Sequence, residues 1–412
     1  MTGKGGGHVV IVGAGHAGGS LAAMLRQFGY PGPITLIGEE ATAPYHRPPL
    51  SKAFLKDEVL AEDIKLRPDS FYHDNDIILR LGTRVESLDL GARRLAFTGG
   101  GEAEYDLLVL ATGARARHLT LPGSDLHNIH RLRTLDDAER LKSQIGPDRH
   151  VVIVGGGYVG LEVAASALLL GSRVTLVERE SRVLARVASE PLSDFFAAYH
   201  SARGVEIVTN AMVAGFDGDE DEYVRAIRLG DGRSLACDAA IVGVGAQCCD
   251  QLARDAGIAC DDGIVVDDCA RTSVEGVFAI GDASRRPLPI YGGRMARLES
   301  VPNALEQAKQ VASLLAGRAQ PAPEVPWFWS DQFDVKLQIA GLPLDVDEIV
   351  VRGDPDTAKF AVFHFRAGQL SAVEAVNAPA EFMAGRQYIA KGTPLDCAKL
   401  ANMAISMKEV AS

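Results

Sequence analysis

The sequence predicts an α/β protein: two doubly wound units built on parallel sheets, followed by a smaller C-terminal α+β domain. Three observations predict it. An apolar run at Val9 to Val12 ends abruptly in Gly13-x-Gly15-x-x-Gly18. The same pattern returns at Val151, with Gly155, Gly157 and Gly160 at the same spacing. After Pro321, Pro323 and Pro326 the chain changes to alternating apolar and polar runs separated by turns, the mark of an antiparallel sheet.

The glycine turns carry the first functional content. A buried strand that stops in GxGxxG and enters a helix leaves backbone without Cβ at the helix N-terminus. There, free N–H groups and the helix dipole accept a pyrophosphate. One such turn is a weak signal; two in one chain predict two Rossmann-like dinucleotide sites.

In order along the chain, the first helix continues through Leu21 to Gln27, and Ile34 to Ile37 forms the second strand. Glu39 follows that strand end, where a carboxylate can take both hydroxyls of an adenosine ribose. Tyr45 to Lys52 places two prolines between Arg47 and Lys52, a stiff turn that holds both cations. Ala61 to Asp74 reads as helical, Ile77 to Leu81 as a strand, and Leu50 to Leu55 as a short helix. Arg93–Phe97 and Glu104–Leu110 flank three glycines and read as a hairpin, whose second arm ends in Ala111-Thr112-Gly113. Asp136 and Asp137 precede a helical run.

The second unit reads as strand 151–154, helix 160–170, strand 173–177 and then Glu178. A carboxylate there favours the ribose of NADH and repels a 2′-phosphate, although Arg179 and Arg182 stand close by in sequence. Further on come a helix at 192–202, strands at 205–208, 223–229 and 234–242, and short strands at 264–266 and 277–280, the last entering Gly281-Asp282. One long helix follows Ser300. In the last segment, helices are expected at 381–389 and 397–405.

Composition bounds the rest. With 412 residues and 47% hydrophobic residues the chain can bury several cores. A formal charge of −12 argues against general nucleic-acid binding. No 18-residue apolar stretch and no signal-peptide h-region precede or interrupt the strands, so a cytoplasmic protein is expected. The six cysteines form no CxxC pair and read as free thiols, with no metal site expected.

Taken together, GAGHAG (13–18), YHRPPLSK (45–52), LVLATGA (108–114), GGGYVGLE (155–162), VFAIGDA (277–283), ESVPNALEQA (299–308) and WFWSDQF (327–333) resemble one family. It is that of the FAD- and NADH-dependent ferredoxin reductases of bacterial oxygenase systems, within the glutathione reductase-like class of flavoproteins. The resemblance implies a discontinuous FAD domain at 1–115 and 243–320, an NAD domain at 116–242, and a C-terminal domain at 321–412 covering the flavin.

The resemblance also implies roles. Gly13, Gly15 and Gly18 take the FAD pyrophosphate and Glu39 the ribose. Arg47 and Lys52 lie beside the FAD, with Arg84 and Val85 at the adenine and Arg133 at the phosphates. Ala111, Thr112 and Gly113 belong to the same site; Gly281 and Asp282 meet the ribityl chain, and Val301 opens a helix facing the flavin ring. Gly155, Gly157, Gly160 and Glu178 hold the NADH. Lys52 and Glu162 form a buried pair, Glu162 lying on the first turn of its helix, and Trp329 is the aromatic lid, with Trp327 second. These would be the catalytic residues of hydride transfer from NADH to flavin N5 in a tightly but non-covalently bound FAD.

Two departures stand out. Cys248-Cys249 occupy the place of a Pro-Asn pair and predict a changed local turn without loss of FAD. No cysteine stands in the 50–55 segment, where related disulfide reductases carry theirs, so electrons leave directly from the flavin. The expected partner is an acidic [2Fe-2S] ferredoxin feeding a cytochrome P450 or Rieske-type oxygenase, met by a monomer through local cations: Arg294, Arg297, Lys309 and Lys336. The alternatives are a rubredoxin reductase, an NADH oxidase or quinone-reducing flavoprotein, and a flavin-bearing interaction protein like apoptosis-inducing factor.

Overall fold

The computed structural model describes residues 6–411. The chain packs as two compact units. The first comprises residues 6–46, 61–115 and 247–324; the second comprises residues 47–60, 116–246 and 325–411.

The first unit is built on a five-stranded parallel sheet in the order 277–279, 107–110, 9–12, 34–37, 77–80. Val9–Val12, Ile34–Ile37 and Val277–Ala279 are buried throughout, as strands covered on both faces must be. Helices His16–Gln27 and Val301–Leu315 pack against each other, joining Leu21, Leu25, Ala308 and Val311 to Val9, Ile11 and Leu36 in one core. The expected hairpin divides differently. Arg94–Phe97 pairs with Glu102–Glu104 across the three glycines, whereas Leu107–Leu110 leaves for the parallel sheet. The chain breaks at Asp106, whose backbone N–H, with that of Leu107, donates to the His8 carbonyl. Beyond that point the run is uniformly apolar and needs cover on both faces.

The second unit repeats the plan, with parallel strands in the order 206–208, 173–177, 150–154, 239–242, 129–130. It adds an antiparallel trio, 213–218, 224–229 and 234–236. Its C-terminal part is a five-stranded antiparallel sheet in the order 327–332, 335–341, 369–376, 359–366, 348–354, with helix Pro379–Lys391 against it. One continuous core runs through Ile153, Leu161 and Phe196 to Leu337, Phe360, Val362 and Val376, and it includes Leu55. The grouping therefore differs from the linear division: residues 47–60 and the C-terminal sheet pack with the second fingerprint unit.

Several local expectations are corrected. Helix Tyr158–Leu169 starts at the fingerprint glycine, which puts Glu162 on its second turn. Leu50–Leu55 is no α-helix; the regular segment is a 3-10 turn at Pro48–Ser51, closed by the Lys52 N–H donating to the Pro49 carbonyl at 2.9 Å. Only Asp69–Asp74 of the 61–74 stretch is helical. Asp136 and Asp137 lie in the first turn of helix Leu135–Lys142, capped by Thr134. Helix Cys397–Ala401 stops early, since Arg352 takes the carbonyls of Leu400, Asn402 and Ile405. Strands 213–218, 284–288 and 294–297 had no clear sequence signal. No helix among the described residues is long and apolar enough to cross a membrane.

Candidate functional site

The two glycine turns are geometrically alike. Gly13 has φ +113°, and a Cβ there would meet the Ala111 carbonyl oxygen at 2.1 Å. A Cβ on Gly18 would stand 2.0 Å from the Gly13 oxygen, and one on Gly160 2.1 Å from the Gly155 oxygen. Strand and helix thus approach at backbone distance in both units. The helices begin at Gly15 and Gly157 with no side-chain cap and no acidic residue in the first turn. By contrast Thr134, Ser189 and Ser300 cap helices 135–142, 190–202 and 301–315. Of these five helices only the two at the fingerprints lack a capping side chain at the N-cap, and a phosphate satisfies N–H groups at such an end. Nothing lies within 4 Å of a Cβ built at Gly157.

At the strand ends the two glutamates differ. Glu39 is exposed and paired with Arg84 Nη1 at 3.2 Å, while Glu40 accepts the Tyr45 hydroxyl at 2.5 Å. Val85 begins the neighbouring strand, opposite Phe97. Glu178 is fixed by backbone: Oε2 accepts the Gly156 N–H at 2.7 Å and Oε1 the Glu180 N–H at 2.8 Å. Its neighbouring arginines are occupied. Arg182 donates to the carbonyls of Ala185, Ala188 and Ser189 and to the Ser193 hydroxyl, and Arg179 pairs with Glu180 at 2.6 Å. A ribose 2′-phosphate at Glu178 would find Arg182 already committed to its loop.

The prolines at 48 and 49 place Lys52 where Nζ is 2.8 Å from Glu162 Oε2, the two side chains being 17% and 6% exposed. The same oxygen accepts the Ser51 hydroxyl at 2.5 Å, and Oε1 accepts Ser330 at 2.6 Å. Arg47 Nη1 donates to the Arg133 carbonyl at 2.6 Å, tying these two basic residues together. Trp329 is half-buried in strand 327–332, its ring 5.6 Å from that of Trp327.

In the first unit, Gly281 has φ +71° and opens a one-turn 3-10 segment carrying Asp282. A Cβ at Gly281 would stand 2.9 Å from the Ala17 Cβ on the fingerprint helix, so the two segments meet there. Gln307 holds that turn by accepting the Gly281 N–H at 2.8 Å and the Ser284 hydroxyl at 2.9 Å. Its own amide nitrogen is buried without a partner. Gln307 sat inside a quoted motif, yet only the fold shows what it bonds. Val301 follows the Ser300 cap, whose hydroxyl accepts the Asn303 N–H at 3.3 Å.

The Cys248-Cys249 turn is tied to the Ala111–Gly113 turn: Thr112 donates to the Cys249 carbonyl at 2.7 Å, and the Cys249 N–H donates to Gly113 at 3.0 Å. Burial pushes the Cys248 thiol up to about 12, so it stays protonated and unreactive at neutral pH. All six cysteines are free. Of the four cations expected to meet the partner, Arg297 is largely buried between Glu299 and Asp262, while Arg294, Lys309 and Lys336 are exposed.

The donor set fits a dinucleotide in each unit: an uncapped helix end, a backbone cradle that a Cβ would fill, and a strand-end carboxylate. The first unit fits FAD, with Gln307 and Asp282 added at its turn.

Comparison with known proteins agrees. Residues 7–308 match the family model described as pyridine nucleotide-disulphide oxidoreductase, and residues 327–411 match the reductase C-terminal model. The chain is 49% identical over 403 residues to a probable ferredoxin reductase, CtmF, of Castellaniella defragrans, covering 98% of both chains. It is 41% identical over 371 residues to a rubredoxin-NAD(+) reductase of Pseudomonas putida, covering 90% of this chain and 96% of the other. Among solved structures, the covalent putidaredoxin reductase–putidaredoxin complex aligns with a TM-score of 0.96 at 39% identity, covering 99% of this chain and 98% of that one.

Proposed function

Because this chain belongs to the pyridine nucleotide-disulphide oxidoreductase family, an oxidoreductase using FAD and a nicotinamide nucleotide, we propose that it is an NADH-dependent ferredoxin reductase. It acts as a monomer and supplies electrons, through a [2Fe-2S] ferredoxin, to a P450 or Rieske-type oxygenase. The full-length likeness to ferredoxin reductases, reductase C-terminal segment included, carries this reading.

The chemistry that bound FAD supplies is the conversion of one hydride from NADH into two single electrons. This chain's residues bind and orient. Gly13, Gly15 and Gly18 offer backbone N–H groups to the FAD pyrophosphate, Glu39 and Arg84 stand at the strand end for the adenosine, and Gln307 fixes the Asp282 turn. Gly155, Gly157 and Gly160 do the same for NADH, and Glu178 accepts its ribose hydroxyls. Glu162 pairs with Lys52 and fixes its position; by the family resemblance Lys52 serves the flavin and Trp329 covers it. No nucleophile or general base is required. The 47–60 segment holds no cysteine, so the thiols that related disulfide reductases carry there are missing, and burial keeps the Cys248 thiol protonated.

The test is NADH-driven reduction of purified [2Fe-2S] ferredoxin and rubredoxin side by side, with oxygen consumption recorded. Fast ferredoxin reduction with slow oxygen turnover is expected. The rubredoxin reading, favoured by the likeness to the Pseudomonas putida enzyme, prevails if rubredoxin is the faster acceptor; oxygen as the fastest acceptor makes it an oxidase.

A further inference from the structure

The Lys52–Glu162 pair is one end of a longer buried chain. Glu162 Oε1 accepts from Ser330 Oγ at 2.6 Å, Ser330 Oγ accepts from Gln332 Nε2 at 3.2 Å, and Gln332 Oε1 accepts from His200 Nε2 at 2.8 Å. Glu162, Ser330, Gln332 and His200 are 5%, 0%, 1% and 0% exposed. With the carboxylate ionised, every link has one direction. A carboxylate only accepts, so the single Ser330 proton goes to Glu162 and the Ser330 oxygen must accept. The Gln332 amide nitrogen can only donate, and its carbonyl then takes the proton on His200 Nε2. Burial lowers the His200 pKa to about 4, which keeps the ring neutral with one proton to place. Its other nitrogen, Nδ1, has no hydrogen-bond partner. Lys52 faces this chain at one end and Arg203 at the other.

We propose that Ser330, Gln332 and His200 are positioning residues for the Lys52–Glu162 pair, a one-way hydrogen-bond chain that locks the Glu162 carboxylate and thereby the Lys52 ammonium. A terminal carboxylate torsion is broad and roughly two-fold, so a single bonded oxygen leaves the group free to swing. Here Ser51 and Lys52 hold Oε2 while Ser330 holds Oε1, and Ser51 is itself anchored, its carbonyl accepting the Ser166 hydroxyl at 2.7 Å. Charge-assisted bonds on both oxygens fix the plane. The consequence for flavin chemistry rests on the reading that Lys52 serves the flavin; the locking itself does not.

Two readouts on the FAD-loaded protein test it. The first is competitive acylation by acetic anhydride, with Lys52 compared to the exposed Lys359 by peptide mass spectrometry. Ser330→Ala and Gln332→Leu each raise the relative Lys52 rate about threefold or more, because a side chain released from its lock meets the reagent more often. The second is the flavin midpoint potential, measured with the limiting rate and KM for NADH. Ser330→Ala shifts the two-electron equilibrium about tenfold toward oxidised flavin, about 30 mV, and slows flavin reduction while KM for NADH stays within twofold. Lys52 acylation equal to wild type in both variants overturns the proposal, and reduced thermal stability with that same equality marks a purely structural staple. Raised acylation with an unmoved potential upholds the locking and instead removes Lys52 from its assigned flavin role, so the two failures are distinguishable.

Discussion

Glu178 Oε2 accepts the Gly156 backbone N–H at 2.7 Å, so the acidic strand end is bonded to the very turn that receives the pyrophosphate. The carboxylate cannot swing away to admit a 2′-phosphate, and Arg182 is spent on loop carbonyls. NADH should therefore be preferred over NADPH by a wide margin in kcat/KM. Glu178→Ala should narrow that ratio tenfold or more, mostly by loss with NADH, as expected for two ribose hydrogen bonds at about 1 kcal/mol each or somewhat more. Steady-state kinetics with both nucleotides check it.

Removing one partner of the buried pair is expected to be costly. Glu162→Ala leaves the Lys52 ammonium without its counter-charge and the Ser51 and Ser330 hydroxyls without their acceptor. Breaking such a pair costs about 3–5 kcal/mol, and the low end applies because Lys52 keeps some solvent contact. Denaturant unfolding of the FAD-loaded protein measures the loss.

Gly18→Ala tests the first cradle. Its Cβ would stand 2.0 Å from the Gly13 carbonyl oxygen, a backbone atom that cannot yield, and 3.2 Å from Ile11 Cγ2. The purified variant should carry far less flavin per protein than wild type by absorbance. Cofactor released from wild type by denaturation should chromatograph as FAD, since FMN has neither a pyrophosphate for the Gly13 turn nor an adenosine ribose for Glu39.

Acid sensitivity follows from His200. Burial depresses its folded-state pKa from 6.5 to about 4, so the unfolded chain binds the proton more readily. Stability from this residue is fully present above about pH 6.5 and falls progressively down to about pH 4, by about 3 kcal/mol in total. His130 and His150, also lowered by burial, act with the same sign. Urea unfolding between pH 7 and pH 4 should show a steep loss, and His200→Phe should flatten it.

Carrier recognition by local cations predicts a salt effect. Ferredoxin reduction should slow as ionic strength rises, while flavin reduction by NADH changes little. Charge reversal at Arg294, Lys309 or Lys336 should raise KM for ferredoxin several-fold. Arg297 is the poorer candidate, already neutralised by Glu299 and Asp262. Unchanged KM in all three variants would move the docking face elsewhere.

The sequence by itself determined the two nucleotide-binding units, since GxGxxG between a buried strand and a helix has few structural solutions. The strand-end glutamates and the antiparallel C-terminal sheet were equally legible, being set by local spacing and period-two alternation. Motif likeness also paired Lys52 with Glu162, but sequence put Glu162 one turn too early, because a helix start is decided by which N–H groups find acceptors. Only the tertiary structure decided that Arg182 is committed to its loop, that Gln307 holds the Asp282 turn, and that residues 47–60 pack into the second unit's core. It also brought His200, Gln332 and Ser330 into line behind Glu162. Each depends on hydrogen bonds between residues far apart in the chain, formed where burial leaves a polar group no water to turn to. A local pattern holds no record of such partners.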